Sequence, residues 1–268
     1  MMTLMMVNAA QADGKLIGTS GVSSFEGSGG GGFTTWAMIS GYATGDEFGG
    51  AAFISDIAVD DYEMQVGGVA VGIKNRLELG YARQRLEISA SGQAISQNIF
   101  SAKYRLFGDV VYSTSPQVSL GVQHKRLADA DTAFAVGAAS DSGTDIYLAV
   151  TKAWLDGLFH RTTLVNLTAR ATKANQVGAL GFGSVVDDNY DVQLELAAGL
   201  FFTRRLASGI EYRQKPDKLG LGEEDWKGLW LAYFVNKRVS LTASYIDLGS
   251  IAGLSSQRGS YLSMQLSL

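Results

Sequence analysis

The last ten residues, Gly259-Ser-Tyr-Leu-Ser-Met-Gln-Leu-Ser-Leu268, put Leu262, Met264, Leu266 and Leu268 on one parity and Ser263, Gln265 and Ser267 on the other. A period of two belongs to a strand, and here one face is oily while the other is wet. Coming last in a chain with many similar runs, the segment reads as the closing strand of a transmembrane β-barrel.

About twelve runs have the roughly ten-residue length that a tilted membrane strand requires. They lie at 33–44, 62–73, 76–88, 96–107, 116–127, 145–155, 160–171, 189–202, 204–215, 228–236, 237–247 and 259–268. The clearest sets Val192, Leu194, Leu196, Ala198 and Leu200 against Asp191, Gln193, Glu195 and Gly199. Runs 145–155 and 228–236 are apolar on both faces, and 62–73 keeps its pattern only with a bulge at Gly67-Gly68. The expected fold is all-β: a single up-and-down antiparallel barrel of about 12 strands in the outer membrane of a Gram-negative bacterium, reached by export through the periplasm. A soluble β-sandwich is the alternative for an all-β chain of this kind.

Composition narrows the choices. No stretch approaches the roughly 20 consecutive apolar residues of a membrane helix. Thirty-three glycines against two prolines suit strands and loops, and both Pro116 and Pro216 sit at strand edges. Cysteine is absent, which excludes disulfides, thiolate metal sites and cysteine nucleophiles. A net charge of −4 argues against a nucleic-acid partner.

Three segments are expected: residues 1–12 as the remnant of an export signal, 13–32 as a Gly-rich N-terminal stretch, and 33–268 as the barrel. Ala10-Gln11-Ala12 has the small-x-small form of a cleavage site, although no basic residue precedes Lys15. The links sort by length. Longer ones, at 45–61, 89–95, 128–144, 172–188, 216–227 and 248–258, alternate with shorter ones, the pattern of a barrel with tight periplasmic turns and longer extracellular loops. Lys74, Arg76, Arg204, Arg205, Lys237 and Arg238 fall on the short side. Asp46, Glu47, Asp60, Asp61, Asp129, Asp131, Asp187, Asp188, Glu223, Glu224 and Asp225 fall in the long loops. Such acids are solvated loop residues, or carboxylates for divalent cations that bridge lipopolysaccharide. Tyr104, Phe107, Trp154, Phe159, Phe201, Phe202 and Phe234 form a candidate aromatic belt toward the turns. Tyr42, Tyr62, Tyr147, Tyr190, Tyr212, Trp226 and Tyr245 form one toward the loops.

The run from Gly21 to Tyr42, with Asp60-Asp-Tyr-Glu63, Gly68-Val-Ala-Val-Gly72, Arg76-Leu-Glu-Leu-Gly-Tyr-Ala-Arg-Gln-Arg-Leu86 and Ala102-Lys-Tyr-Arg-Leu-Phe-Gly-Asp109, resembles a proteobacterial family of outer-membrane proteins. That family is catalogued as a domain of unknown function, DUF3034. The resemblance covers nearly the whole mature chain and is densest in 18–109. It implies an outer-membrane location and brings no activity, ligand or catalytic residue.

Gly21-Val-Ser-Ser-Phe-Glu-Gly27 is not a G-x-S-x-G elbow, and Gly29-Gly-Gly-Gly32 is followed by Phe33 rather than the Lys-Ser/Thr of a phosphate loop. His124 should face lipid and His160 lies in a short link, so neither has a nucleophile and acid beside it. Two histidines on separate strands also make a poor metal site. No catalytic residue, metal or cofactor is expected, and the chain reads as a non-enzyme. The glycines suit a flexible, close-packing segment tucked into the barrel mouth.

The polar parity points Glu78, Gln84, Lys103, Arg105, Gln123, Lys125, Asn166, Arg170, Glu195, Glu211 and Arg213 into the lumen. Charges of both signs fit a narrow channel or uptake pore for small, charged solutes, the reading the residues favour. They also fit a non-conducting structural or interaction barrel whose charges pair across the lumen. A lipid-modifying enzyme is the third and weakest alternative. Expected partners are outer-membrane lipids and lipopolysaccharide, the barrel-assembly machinery and, for a channel, small solutes.

Overall fold

A computed structural model describes residues 15–268. The expected export signal, 1–12, and the cleavage point near Asp13 lie outside the described residues. The chain forms a closed antiparallel barrel of twelve strands. These are β1 (Phe48–Val59), β2 (Tyr62–Ile73), β3 (Leu77–Ile88), β4 (Gln93–Phe107), β5 (Gln117–Leu127), β6 (Ser142–Trp154), β7 (Thr163–Thr172), β8 (Asp191–Phe201), β9 (Leu206–Arg213), β10 (Trp226–Phe234), β11 (Val239–Asp247) and β12 (Arg258–Ser267). Each pairs with the next, and the C-terminal alternating run closes the ring on β1, from Gly259 opposite Val59 to Ser267 opposite Ala51.

The period-two pattern orients the wall. Leu79, Leu120, Leu148, Leu196, Leu231 and Leu262 are exposed on the outside, while the intervening residues of their strands are largely buried. An apolar band of this extent is stable only against lipid, and closing the sheet leaves no strand edge unpaired within it. No helix among the described residues is long and apolar enough to cross a membrane; the crossing elements are strands. Toward the loop ends of β1–β3 the outer face turns polar, with Asp56, Gln65, Arg83, Arg85 and Glu87.

The barrel begins later than its sequence pattern predicts. Residues 33–44, expected as the first strand, lie inside the lumen, and the expected loop 45–61 is mostly β1. The wall therefore runs over 48–268, not 33–268, while the strand number stays at twelve because one segment replaces the other. Several aromatics expected in the belts also turn inward: Tyr62, Tyr147, Trp226 and Phe234 are buried wall residues, and Tyr42 is buried ahead of β1.

Links alternate between two ends. One end carries 74–76, 108–116, 155–162, 202–205 and 235–238, together with the C-terminus. The other carries 60–61, 89–92, 128–141, 173–190, 214–225 and 248–257, so its first two links are tight and the rest are long. Asp46 and Glu47 precede β1 and so lie at the short-turn end. At the long-loop end, Ala138–Ser140 pairs with Phe182–Ser184 and ties two loops together. Val177, Ala179 and Leu180 there join the core formed with Ile95, Ile99 and Leu127. Several loop acids already have protein partners: Lys218 Nζ lies 2.9 Å from Asp187 and 2.6 Å from Asp191, and Lys215 Nζ lies 2.8 Å from Glu223.

Candidate functional site: a lumen filled by the N-terminal segment

The segment before β1 enters at the short-turn end, where Lys15 donates to Asn75 Oδ1 at 2.8 Å. It rises to Glu26 near the long-loop end and doubles back in a small hairpin, Val22–Ser23 against Gly29–Gly30. After Thr35 it descends, and Tyr42 N–H meets the carbonyl of Leu268 at 3.0 Å. Residues 20–43 are all buried along this path. Both ends of the plug thus lie at one mouth.

Glycine lets this path fit. A Cβ on Gly31 would lie 1.6 Å from Glu211 Oε1, and one on Gly30 would lie 2.3 Å from the Thr34 carbonyl. Between its buried apolar side chains the plug has a run, Gly27–Gly32, with little side-chain volume and much bare backbone, so the N–H and C=O groups there need partners from the wall. The lumen-facing polar residues supply them.

Two charged layers result. In the layer nearer the loops, Glu26 Oε2 accepts from Arg213 Nη1 at 2.7 Å and lies 3.4 Å from Arg170 Nη2, while Oε1 takes the Lys125 ammonium. Asp145 lies 2.8 Å from Lys125 and 3.4 Å from Arg170. Glu195 accepts from Arg170 Nε at 2.6 Å and from the Thr35 N–H at 2.7 Å. Gln123 Oε1 takes a further Arg170 N–H at 2.5 Å. Beside this layer Glu211, without a cation partner among these contacts, accepts from the Thr34 hydroxyl at 2.5 Å and from the N–H groups of Gly32 and Phe33 at 3.1 and 3.2 Å.

In the layer nearer the turns, Glu78 pairs with Lys103 at 3.1 Å and accepts from Ser28 Oγ at 2.8 Å and Ser40 N–H at 2.7 Å. Lys103 donates to the carbonyls of Gly29 and Trp36 at 3.0 and 3.1 Å. Between the layers, Asn166 Nδ2 and Thr168 Oγ1 hold the Thr35 carbonyl at 3.2 and 2.6 Å, and Gln84 Nε2 holds that of Phe25 at 2.8 Å. Ten of the eleven residues expected in the lumen are therefore buried against the plug or against each other. Arg105 is not: it sits half-buried at the short-turn mouth, on the Gly108 carbonyl and 3.2 Å from Asp109.

Two acids of the network escape a reading of the sequence. Asp145 belongs to a run that is apolar on both faces, where parity gives no signal. Glu26 sits in the Gly-rich stretch, and the signal that marks it is its isolation, since no other charge occurs between Lys15 and Asp46.

Little space remains. The void among Lys125, Arg170, Arg213 and Lys215 is about 10 Å³, the size of one water, and an apolar void beside Trp36, Trp230 and Phe234 is about 30 Å³. At the short-turn mouth, open hollows of about 180 Å³ beside Lys15, Asn75 and Asp109 and about 490 Å³ beside Lys74, Arg76 and Arg105 remain. Both histidines are outside the lumen and at different ends: His124 Nδ1 lies 2.9 Å from Thr144 Oγ1 on the outer wall, and His160 lies 3.1 Å from Asp156 in a turn.

The barrel is similar to three solved outer-membrane proteins. The KdgM porin matches with a TM-score of 0.51 at 11% identity, covering 81% of this chain and 99% of the porin. Omp33 of Acinetobacter baumannii matches with 0.52 at 10%, covering 84% of this chain and all of the other (100%). The COG4313 outer membrane channel from Pseudomonas putida F1 matches with 0.52 at 12%, covering 82% of this chain and 94% of the channel. At these identities the likeness is one of fold. No curated protein matches the sequence significantly. The family model described as protein of unknown function (DUF3034) spans residues 19–265, from the base of the plug to the closing strand, and the chain belongs to that family.

Proposed function

We propose that the protein is a plug-closed channel of the outer membrane: a barrel shut by residues 15–47, passing small solutes only when that segment shifts. The observation that carries this reading is the chemistry of the contact between plug and wall. If packing were the only requirement, apolar side chains would fill the lumen at lower cost than buried ions. Instead, beside the packed Phe25, Phe33, Trp36 and Met38 of the plug, Glu78, Lys103, Lys125, Arg170, Glu195, Glu211 and Arg213 meet its backbone, its hydroxyls and Glu26 through polar bonds. Water can replace such bonds when the plug moves, and the charged part of the wall that it uncovers suits a hydrated solute. Because the segment enters and leaves by one mouth, it can withdraw as a loop without threading.

Planar-bilayer recording tests this. Wild type should insert and remain closed with brief openings. Glu26→Gln, which leaves Arg213 and Lys125 short of a counter-charge, should open more often, and deletion of residues 15–43 should give a steady current. A steady full-barrel current from wild type would overturn the plug. Silence of all three proteins, each folded and heat-modifiable, would leave a non-conducting structural or partner-binding barrel as the better account.

A further inference from the structure

We infer that the solute is a small carboxylate-bearing anion and that its binding position is the one now held by the carboxylate of Glu26. This rests on the plug-closed channel reading. Three strands, β5, β7 and β9, each bring one cation to that carboxylate: Lys125, Arg170 and Arg213. Two guanidiniums and an ammonium around two oxygens are a recognition site for a carboxylate, whichever molecule carries it.

The charge balance at this level depends on the plug. Lys125, Arg170 and Arg213 face Asp145 and Glu195 on the wall, and Glu26 supplies the third negative charge. Withdrawing the segment removes the one carboxylate among these that all three cations share. Arg213 loses most. Its bonds to Glu26 and to the Phe33 carbonyl (2.9 Å) go with the plug, as does the Phe25 ring 5.5 Å away, and Glu195 at 3.7 Å remains. A buried cation stripped of its partner is costly, so the open state is stabilised by an anion that takes the vacated place.

On its long-loop side the site is covered by buried residues of the loops. Above it the small void is lined by Lys125, Arg170, Arg213 and Lys215, and Val177 of the 173–190 loop forms its roof, with the Lys125 ammonium 3.2 Å from the Val177 carbonyl. An anion arriving from the long-loop side meets Lys215 first and then the Glu26 position. Its carboxylate competes with Glu26 for the same cations, so that solute binding and plug release become one exchange.

Chemical rescue tests the site without any current. Glu26→Gly leaves a carboxylate-sized gap among the three cations. Sodium acetate should raise the Tm of this variant in detergent by several degrees more than sodium chloride at equal ionic strength, and should do so for neither wild type nor Glu26→Gly combined with Arg213→Gln. Equal effects of acetate and chloride on Glu26→Gly would overturn the site whether or not the barrel conducts. In bilayers, the openings of Glu26→Gln should prefer chloride to potassium in a salt gradient, and Lys125→Gln with Arg213→Gln should abolish that preference. Cation-selective openings would overturn the anion assignment and leave the plug standing. Rescue by acetate in a barrel that never conducts would refute the channel while upholding carboxylate recognition at this position.

Discussion

At the scale of single residues, the Gly29–Gly32 run is a requirement of contact more than of flexibility. Gly30 has no room, with the Thr34 carbonyl 2.3 Å from where a Cβ would lie. At Gly32 the nearest atoms would be Glu211 Oε2 at 3.3 Å and a Tyr261 ring carbon at 3.4 Å. Gly30→Ala should therefore cost about 1–3 kcal/mol, as overpacking does, and Gly32→Ala clearly less, measured by urea unfolding in micelles. Equal cost at the two positions would show that the run serves chain flexibility instead. Lys15 gives the plug a pH dependence at its base. Burial, aided by the nearby Arg105, lowers its pKa from 10.5 to about 8. Below pH 8 the amine is protonated whether the segment is docked or free, and docking bears the full penalty of burying charge. Above 10.5 it is neutral in both and the penalty is gone, so docking tightens as pH rises between these values. Openings should become rarer from pH 8 to pH 10, and Lys15→Met should remove that trend. The polar parity of the sequence located most of this network, because lumen residues on well-patterned strands cannot point elsewhere. It could not give Glu26, which lies on no patterned strand, and it could not tell a water-filled lumen from one filled by the chain itself.

At the scale of elements, legibility followed the contrast between the two faces. β8 has lipid outside and charges inside, and its period reads directly from the sequence. β1 does not, because its inner Ala51, Phe53 and Ile57 are buried and apolar, Phe53 and Ile57 within the core that holds Phe33 of the plug, while its outer face carries Asp56 among Ala52 and Ile54. The opposite error arose at 33–44, where Phe33-Thr-Thr-Trp-Ala-Met-Ile39 has strand-like residues but its backbone bonds go to wall side chains such as Thr151 and Ser119. A sequence pattern reports which residues want burial and cannot say which wall buries them. The outward parity of β8 makes a depth-graded prediction. Leu196 is mid-strand and Val192 is one residue in from the loop end, both on the lipid face. Leu196→Arg should cost roughly 2–4 kcal/mol and Val192→Arg about 0–1, read from folded, heat-modifiable protein over a urea series. Indistinguishable losses would contradict the placement of the apolar band.

At the scale of the whole molecule, the two rims differ in a way that sets an orientation. The short-turn rim holds Lys74, Arg76, Arg204, Arg205, Lys237 and Arg238, both ends of the plug and the C-terminus. The other rim holds the long loops and most of the acids. Short turns belong on the periplasmic side of such barrels, so the expected orientation has the plug opening toward the periplasm and the loop cap facing outward. The choice of reporter positions matters, because Ala51, Ala138 and Gly181, which a sequence reading would place in outer loops, are all buried. Val186, 96% exposed at the tip of the 173–190 loop, and Phe159, 75% exposed in the 155–162 turn, lie at opposite rims of a chain that has no native cysteine. A membrane-impermeant maleimide should label Val186→Cys on intact cells and Phe159→Cys only once the outer membrane is breached. The reverse pattern would invert the barrel, placing the plug's mouth at the cell surface and the Lys125, Arg170 and Arg213 cluster toward the periplasm. The direction in which an anion meets that cluster therefore depends on this labelling experiment.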